Sequence, residues 1–474
     1  MPKIDFPINF KCVFYFILIL LSVGIFNINL GTAKDPKLNL LIVTLDTTRA
    51  DHLGCYGYDK PISRNIDSLA EESVVFDVAI SESSITPVSH ASIFTGKSPY
   101  HHGLRVLHGL IANRLENKQT TLAELWRESG GQTSAFVSAY PVTAAFGLDQ
   151  GFEFFDADFQ QIAGQELISK DGIVNTAISQ RGAKETTETA IKWLQNKDNS
   201  RKPFFMWVHY FDPHDDMLQP PEHEMQKLLS SLYPTVPQNR AEMLRAIYDC
   251  EIYYMDTYLG LLLDKFKEQH LWDNTMIIVV ADHGEGLGDH NWWSHGILYQ
   301  EQIRVPLLIH LPSMKKGKRI KSLVRTIDIM PTILEIMKIQ PEKWPDMDGL
   351  SIADALLAGK TIESREAYSE SVNCLKYGRP DTSEQSDMKN DKLYSLIDNG
   401  KKFIYHQVYP YKSELYDIVK DPYELNNLID QQQDLAGNFL LRLKKMKALS
   451  EIMPGMTITD MERLEKLKSL GYVK

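Results

Sequence analysis

Residues 38–46 read Leu-Asn-Leu-Leu-Ile-Val-Thr-Leu-Asp, an apolar run that ends in a carboxylate. A nearly continuous run of this kind is typical of a central parallel strand that is buried on both faces. Similar runs at 204–209 and 276–280 are also followed by polar side chains. Because strands and helical segments alternate, we predict an α/β fold with a central, mostly parallel sheet flanked by helices. The carboxyl ends of its strands should form a ligand-binding crevice.

The composition is that of a globular protein. The chain has 474 residues, of which 43% are hydrophobic and 24% are charged, and this length allows one large α/β domain with an accessory piece or two ordinary domains. The formal net charge is -11. Nonspecific binding of nucleic acid depends on basic groups that neutralise phosphates, so nucleic acid is not an expected partner.

The N-terminal segment 1–33 has the pattern of a secretory signal peptide. Two lysines precede an apolar run at 13–26, and small residues follow it. An uncleaved N-terminal anchor is the alternative, although Asn27 and Asn29 interrupt the run before the ~20 residues that a spanning helix needs. We therefore expect an exported protein, periplasmic or extracellular, that contacts a membrane only if this segment is retained.

The cysteines do not form a disulfide framework. Cys12 falls in the predicted signal, which leaves Cys55, Cys250 and Cys374. Three residues allow at most one disulfide with one thiol over, and no pair has the spacing of a metal site.

The rest of the chain is predicted to have three parts. These are a catalytic domain at 36–345, a smaller C-terminal α+β subdomain at 346–450 and a helical tail at 451–474. A polar stretch at 379–391 predicts a loop. The apolar periodicity predicts helices at 64–72, 121–128, 160–197 and 242–270, and further strands at 74–76, 133–137, 305–311, 393–397 and 402–405.

Residues 83–96 read Ser-Ser-Ile-Thr-Pro-Val-Ser-His-Ala-Ser-Ile-Phe-Thr-Gly. Hydroxyl residues before an apolar pattern predict a helix start, and Gly96 predicts its end. A hydroxyl at such a start lies among backbone N–H groups at the positive end of the helix, which is a natural anion site. Thr86 is therefore a candidate nucleophile toward a bound sulfate or phosphate ester. The alternative is an ordinary helix cap.

The spacing Thr86-x-x-Ser89-His90-Ala91-Ser92-x-x-Thr95-Gly96 resembles the active-site signature of the sulfatase family, within the alkaline-phosphatase superfamily. Further segments resemble the family's landmarks in the family's order, at 46–57, 281–284, 304–307, 328–332 and 414–428. The resemblance implies an alkaline-phosphatase-like sandwich and an enzyme that hydrolyses ester bonds.

The signature departs from the family pattern at the nucleophile. Sulfatases have Cys or Ser there, followed by x-Pro-Ser-Arg, whereas this chain has Thr86, an early Pro87, and His90 in the position of the arginine. A threonine cannot be oxidised to the formylglycine aldehyde that such sulfatases use. The chain is similar in this respect to the phosphodiesterase branch, in which a threonine hydroxyl attacks phosphorus directly.

The resemblance implies, by position, a divalent metal site formed by Asp46, Thr86, Asp282 and His283. Thr47 stands where many sulfatases carry a second aspartate, and His283 where many carry asparagine. An imidazole among the ligands favours zinc or manganese, with calcium or magnesium as alternatives. Two simpler readings are that Asp46 only caps the following helix and that His283 is an ordinary loop histidine.

Histidines are the groups that move protons near neutral pH. We predict that His214 and His295 contact the anion and protonate the leaving oxygen, and that His90 supports Thr86. An alternative is a second metal ion held by Asp212, His214 and His295, because two cations ~4 Å apart clamp attacking and leaving oxygens together.

Two of the histidines also have structural explanations. His209, at the end of a strand, is as well explained by an inward structural hydrogen bond as by a function. His295 has the alternative of a surface loop residue beside Trp292 and Trp293.

These features predict an exported, metal-dependent hydrolase that cleaves sulfate esters or, in view of Thr86, phosphate mono- or diesters through a covalent threonine intermediate. The alternatives are a phospho-group transferase acting on envelope lipids or glycans, a sulfuric ester hydrolase that works without formylglycine, and an inactive binding protein on the same fold. The expected partner is an anionic sulfate or phosphate ester. The sequence indicates neither the alcohol half of the substrate nor an oligomeric state.

Overall fold

A computed structural model of the chain describes residues 38–108, 111–159, 180–197, 202–214, 218–312, 314–372 and 391–449. All of them belong to the unit formed by residues 38–474. The predicted signal peptide 1–33 and helical tail 451–474 lie outside the described residues, as does most of the predicted loop 379–391.

Seventeen strands are found among the described residues. In chain order they are β1 Asn39–Leu45, β2 Val74–Phe76, β3 Ala79–Ile80, β4 Val106–His108, β5 Ile111–Ala112, β6 Gln132–Phe136, β7 Phe154–Asp156, β8 Phe204–Tyr210, β9 Thr275–Ala281, β10 Arg304–Val305, β11 Leu307–His310, β12 Lys318–Ile320, β13 Val324–Arg325, β14 Ala367–Ser371, β15 Leu393–Asp398, β16 Lys401–His406 and β17 Glu414–Asp417.

The α-helices among the same residues are α1 Arg64–Ala70, α2 Thr86–Thr95, α3 Pro99–His102, α4 Leu122–Glu128, α5 Ala183–Asn196, α6 Glu222–Leu232, α7 Arg240–Glu268, α8 Gln300–Ile303, α9 Ile329–Ile336, α10 Ala353–Leu357 and α11 Gln433–Lys445. Short 3-10 turns include Ala50–His52 and Asp212–His214. None of the described helices has the length and hydropathy that crossing a membrane requires.

Eight strands form the central sheet, in the order β12-β2-β11-β9-β1-β8-β6-β7. β1 pairs in parallel with both β8 and β9, and only β11 runs antiparallel to its neighbours. All seven residues of β1 are buried, as the apolar run at 38–46 predicts for a strand covered on both faces. The predicted α/β fold with a mostly parallel sheet is confirmed.

Two predicted elements differ from the described ones. Most of the N-terminal half of the helix predicted at 160–197, residues 160–179, lies outside the described residues, and 180–182 are not helical. The described helix α5 begins at Ala183, whose N–H donates to the Asp212 carboxylate at 2.9 Å. The strand predicted at 305–311 is divided at Pro306, which has no N–H for a sheet ladder. Its halves, β10 and β11, belong to different sheets.

A four-stranded antiparallel sheet, β14-β15-β16-β17, forms the C-terminal part of the fold. Its first strand contacts the hydroxyl-rich loop that precedes α2, because the Ser83 hydroxyl donates to the Glu370 carbonyl at 2.8 Å and the Ser369 hydroxyl donates to the Ser81 carbonyl at 2.6 Å. The Glu370 side chain makes a bidentate ion pair with Arg105, with both N–O distances at 2.6 Å. The C-terminal sheet therefore supports the loop that carries the start of α2.

The buried Arg105–Glu370 pair gives a stability prediction. We expect Glu370→Gln to lower the free energy of unfolding by about 3–5 kcal/mol, since it leaves a buried guanidinium without its carboxylate. Urea unfolding measures this. Glu363→Gln, at an exposed position, is the control, and an equal effect of the two substitutions would contradict the structural role of the pair.

Candidate active site

Three neighbouring strands of the central sheet end at the candidate site. In the pairing of β1 with its two neighbours, Leu45 lies opposite both Tyr210 and Ala281. Asp46 and Asp282, the residues that follow Leu45 and Ala281, therefore lie side by side just beyond the ends of β1 and β9. Both are fully buried. The structure brings together the two strand-end carboxylates that the sequence singles out.

Thr86 is the first residue of α2, a helix that is buried throughout. The preceding Ile85 has an extended backbone, and no side chain caps the helix. Thr86 is therefore not an ordinary cap, and its hydroxyl lies 3.2 Å from Nε2 of His283. The helix ends at Gly96, whose φ of 64° is left-handed and where a Cβ would lie 2.9 Å from the Met347 sulfur.

Asp46, Asp282 and His283 offer ligand atoms that all lie within 4.8 Å of one another, and the described residues contain no other group of three His, Cys, Asp or Glu with this spacing. Nδ1 of His283 lies 3.0 Å from the Gly284 carbonyl. Nδ1 therefore carries the proton, and Nε2 presents its lone pair to the group. Oδ1 of Asp46, Oδ2 of Asp282 and Oγ1 of Thr47 are buried without a hydrogen-bond partner. This donor set fits a divalent cation.

The raised pKa values of the two buried acids also favour a bound cation. Burial raises the pKa of Asp46 well above its usual range, and the Thr86 hydroxyl offsets part of that rise. Burial raises the pKa of Asp282 in the same direction, and the nearby Asp46 adds to it. Two buried carboxylates this close resist joint ionisation. A divalent cation between them favours the charged forms and lowers both pKa values.

His209 holds Asp46 in place. The Ser138 N–H donates to His209 Nδ1 at 3.4 Å, so the proton of this neutral ring is on Nε2, which donates to Asp46 Oδ2 at 3.1 Å. The inward hydrogen bond considered for His209 is therefore present, and its acceptor is a candidate metal ligand. The sequence shows that His209 ends a strand, but the choice of acceptor depends on the pairing of β8 with β1.

His90 contacts Thr86 through the backbone. Its Nδ1 lies 2.8 Å from the Thr86 carbonyl oxygen and 3.6 Å from Oδ2 of Asp282. Burial lowers the pKa of His90 well below its usual value, so the ring is neutral. It therefore cannot supply the fixed positive charge of an arginine, and it orients the first turn of α2 instead.

His214 and His295 form a pair with their Nε2 atoms 3.2 Å apart. His295 Nδ1 lies 2.9 Å from the Ser84 carbonyl, so His295 Nε2 accepts a hydrogen bond from His214. The His283 ring completes the row, with its centroid 4.6 Å from that of His295. Burial lowers the pKa of His295 to about 4 and that of His214 well below its usual value.

The structure does not bring Asp212 to the two histidines of the predicted second metal site. Asp212 does not join His214 and His295 in a three-ligand group. Its Oδ1 instead accepts a hydrogen bond from the N–H of Ala183. Burial raises the pKa of Asp212 to about 7. The Asp212 carboxylate therefore contacts the N-terminus of α5, and the two histidines remain as a pair.

A family model for sulfatases matches residues 38–339. The chain belongs to the sulfatase family. A second model, described as N-sulphoglucosamine sulphohydrolase, C-terminal, matches residues 288–449 of this sulfatase-family chain. Membership makes the chain an ester hydrolase of the alkaline-phosphatase superfamily.

Relatives of this sulfatase-family chain include an arylsulfatase and a protein named for the alkaline phosphatase superfamily. An arylsulfatase of Clostridium perfringens is 24% identical over 461 residues, which cover 84% of this chain and 91% of the relative. The multifunctional alkaline phosphatase superfamily protein PehA of Trinickia caryophylli is 27% identical over 306 residues, or 56% and 58% of the two chains.

Solved structures show the same fold. The phosphonate monoester hydrolase of Agrobacterium radiobacter has a TM-score of 0.62 at 20% identity, covering 87% of this chain and 95% of that chain. A protein in complex with its substrate D-glucosamine-2-N,6-O-disulfate has a TM-score of 0.68 at 20% identity, covering 87% and 98%.

Cation binding should stabilise the folded chain. We expect Mn²⁺ or Zn²⁺ to raise the melting temperature of chelator-treated protein, with a gain of about 2.7 kcal/mol at 100 times Kd. Asp282→Asn should abolish the shift, whereas Asp264→Asn, at an exposed position, should retain it. Differential scanning calorimetry measures both, and an undiminished shift in Asp282→Asn would place the cation elsewhere.

The His295 pKa predicts a pH dependence of stability. Its folded pKa of about 4 lies below the ~6.5 of an unfolded histidine. Between these values the unfolded chain binds the extra proton, so this contribution is complete above about pH 6.5 and falls by up to about 3 kcal/mol as the pH drops to 4. Cation-free His295→Gln should lose less stability than the parent between pH 7.5 and 5, as measured by urea unfolding. Equal losses would rule the contribution out.

Proposed function

We propose that this sulfatase-family enzyme is an exported, metal-dependent hydrolase that cleaves phosphate mono- or diesters through a covalent intermediate on Thr86. The observation that carries the proposal is the position of the Thr86 hydroxyl, 3.2 Å from Nε2 of His283, in a group that also contains Asp46 and Asp282. A hydroxyl at a helix start that faces two acids and an imidazole has the surroundings of an activated nucleophile.

Asp46, Asp282 and His283 would hold the cation, with Thr86 as the fourth ligand. When bound, a divalent cation polarises the ester oxygen, lowers the pKa of the nucleophile and neutralises developing charge. The His283 imidazole favours zinc or manganese. Thr47 in place of a second acid leaves fewer carboxylate oxygens than calcium prefers.

The reaction proceeds in two displacements. The Thr86 hydroxyl releases its proton to solvent, and its oxygen attacks phosphorus while the bond from phosphorus to the alcohol oxygen breaks. The departing oxygen takes a proton from the His214–His295 pair, which draws it from solvent. A water molecule then breaks the bond between phosphorus and Thr86, which releases the phosphate product and restores the hydroxyl. His90 holds the Thr86 carbonyl and His209 holds Asp46, so the nucleophile and one acid keep their places through both steps.

We assign the leaving oxygen to the His214–His295 pair. Both imidazoles are neutral in the free protein because burial lowers their pKa values. An anionic ester beside these rings raises the same pKa values, since a negative charge favours the protonated form. The pair then takes up one proton and delivers it to the departing alcohol.

The residue type at position 86 favours phosphorus over sulfur. Threonine has no aldehyde hydrate, so a sulfate ester on Thr86 lacks the elimination step that would release sulfate. The name of the phosphonate monoester hydrolase supports phosphorus chemistry. The arylsulfatase relative supports the second candidate, a sulfuric ester hydrolase that works without formylglycine.

The proposal is tested with paired assays of an aryl phosphodiester, an aryl phosphate and an aryl sulfate, together with metal analysis of the purified protein. We expect the phosphate esters to be the better substrates. Thr86→Ala should lower kcat/KM on the order of 1000-fold because it removes the attacking oxygen. Thr86→Ser should retain turnover, and Thr86→Cys should change the ratio of sulfate to phosphate hydrolysis.

Thr257→Ala, at an exposed position, is the matched control and should behave as the parent. Full turnover of Thr86→Ala on every substrate would remove Thr86 as the nucleophile. Release of aryl alcohol with the phospho-group recovered on an added alcohol rather than as free phosphate would identify the transferase alternative. Secretion of the full chain fused to a periplasmic reporter tests export.

A further inference from the structure

We propose that Thr44 is a positioning residue for the nucleophile and acts through His90. The juxtaposition that carries the inference is a buried chain of hydrogen bonds from Trp207 through Thr44 and His90 to the backbone of Thr86. All four residues are at most 3% exposed. The inference rests on the proposed function of Thr86 and adds a residue that does not touch the substrate.

The direction of each hydrogen bond in the chain is determined. The Trp207 indole N–H can only donate, and it lies 2.9 Å from Oγ1 of Thr44. The Thr44 hydroxyl therefore accepts there and has its own proton to donate, and its second contact is His90 Nε2 at 3.1 Å. The Thr86 carbonyl oxygen can only accept, so Nδ1 of His90, 2.8 Å away, carries the proton that is donated to it. With its proton on Nδ1, the ring accepts the Thr44 hydroxyl at Nε2.

The Thr86 carbonyl is a contact through which His90 can fix the orientation of the first turn of α2. It belongs to the peptide bond between Thr86 and Pro87, and Pro87 has no N–H through which a neighbour could fix that bond. An imidazole donor on the carbonyl oxygen therefore sets the orientation of the first helical peptide. That orientation in turn determines the position of the Thr86 hydroxyl, which lies 3.2 Å from His283 Nε2.

Thr44 also links the nucleophile to a metal ligand. It is the next-to-last residue of β1, and Asp46 follows two positions later on the same segment. A shift of α2 relative to β1 would change the distance between the Thr86 oxygen and the Asp46 carboxylate. The Thr44–His90 hydrogen bond opposes such a shift, because leaving two buried polar groups without their hydrogen bond is unfavourable.

Thr44 is a departure from the apolar pattern of β1. The four residues before it, Leu40 to Val43, all have apolar side chains, and valine has nearly the same shape as threonine. Valine at position 44 would suit a buried strand, but it would leave both the Trp207 N–H and His90 Nε2 without partners. With valine, His90 loses its contact at Nε2, and the ring is held only through the hydrogen bond from Nδ1 to the Thr86 carbonyl.

Steady-state kinetics on the best phosphate ester, with cation-loaded enzyme, test the inference. We expect Thr44→Val to lower kcat about 10–100-fold through misplacement of the nucleophile, with KM and cation affinity close to those of the parent. Thr44→Ser restores the hydroxyl and should recover most of kcat. If Thr44→Val does not fold, Thr44→Val combined with Trp207→Phe removes the unpaired indole N–H and should show the same loss of kcat.

A second measurement separates positioning from packing. In cation-free protein with ¹⁵N-labelled histidine rings, the His90 signals, identified by their loss in His90→Gln, should report a proton on Nδ1. Thr44→Val should shift the Nε2 signal, because Nε2 loses the hydroxyl donor while Nδ1 keeps its proton on the Thr86 carbonyl, and Thr44→Ser should restore the parent signal. Unchanged His90 signals in Thr44→Val would mean that the hydroxyl only satisfies Trp207, and the inference would be overturned.

The two proposals fail in different ways. If Thr86→Ala is inactive while folded Thr44→Val keeps the parent kcat, the positioning role is wrong and the function of Thr86 stands. A Thr44→Ser variant as slow as Thr44→Val would also overturn the inference, because the hydroxyl would then not be the active feature. If Thr86→Ala keeps full turnover, the proposed function is wrong and the inference about Thr44 falls with it.

Discussion

The in-register pairing of β1 with both of its neighbours is the constraint on which the candidate site depends. It places Asp46 and Asp282 side by side at one edge of the sheet, fully buried. Two acids in that position are unfavourable as a pair of charges. The surrounding structure therefore provides imidazole and hydroxyl groups rather than further acids, and it leaves carboxylate oxygens without protein partners. The same strand pairing that stabilises the sheet therefore produces a pair of buried carboxylates that a cation would stabilise.

The sequence predicts the parts of the site that follow strand ends. Asp46, Asp282 and His283 can be recognised from sequence because each follows an apolar run, and parallel strands bring their carboxyl ends to one edge. Thr86 can be recognised because a helix start and a glycine stop frame it. These features depend on local pattern and on one general rule of α/β sheets.

Other parts of the site depend on contacts between distant segments, which the pattern does not contain. The acceptor of His209 is set by strand register, and the partner of Asp212 is the start of a helix whose first residue lies 29 positions earlier. The predicted second metal set failed for that reason, since three residues that match a ligand pattern need not face one another. His90 lies beside Thr86, and the atom that it contacts is the carbonyl oxygen, which the sequence pattern does not specify.

The tie between the loop before α2 and the C-terminal sheet has a consequence for synthesis of the chain. The Ser83 hydroxyl and the Glu370 carbonyl that it contacts are 287 positions apart, and non-local contacts of this kind form only after the intervening chain is available. A ribosome must therefore translate the chain through Glu370 before this loop has its support. A nascent or truncated polypeptide that carries every metal ligand still lacks the scaffold of its nucleophile.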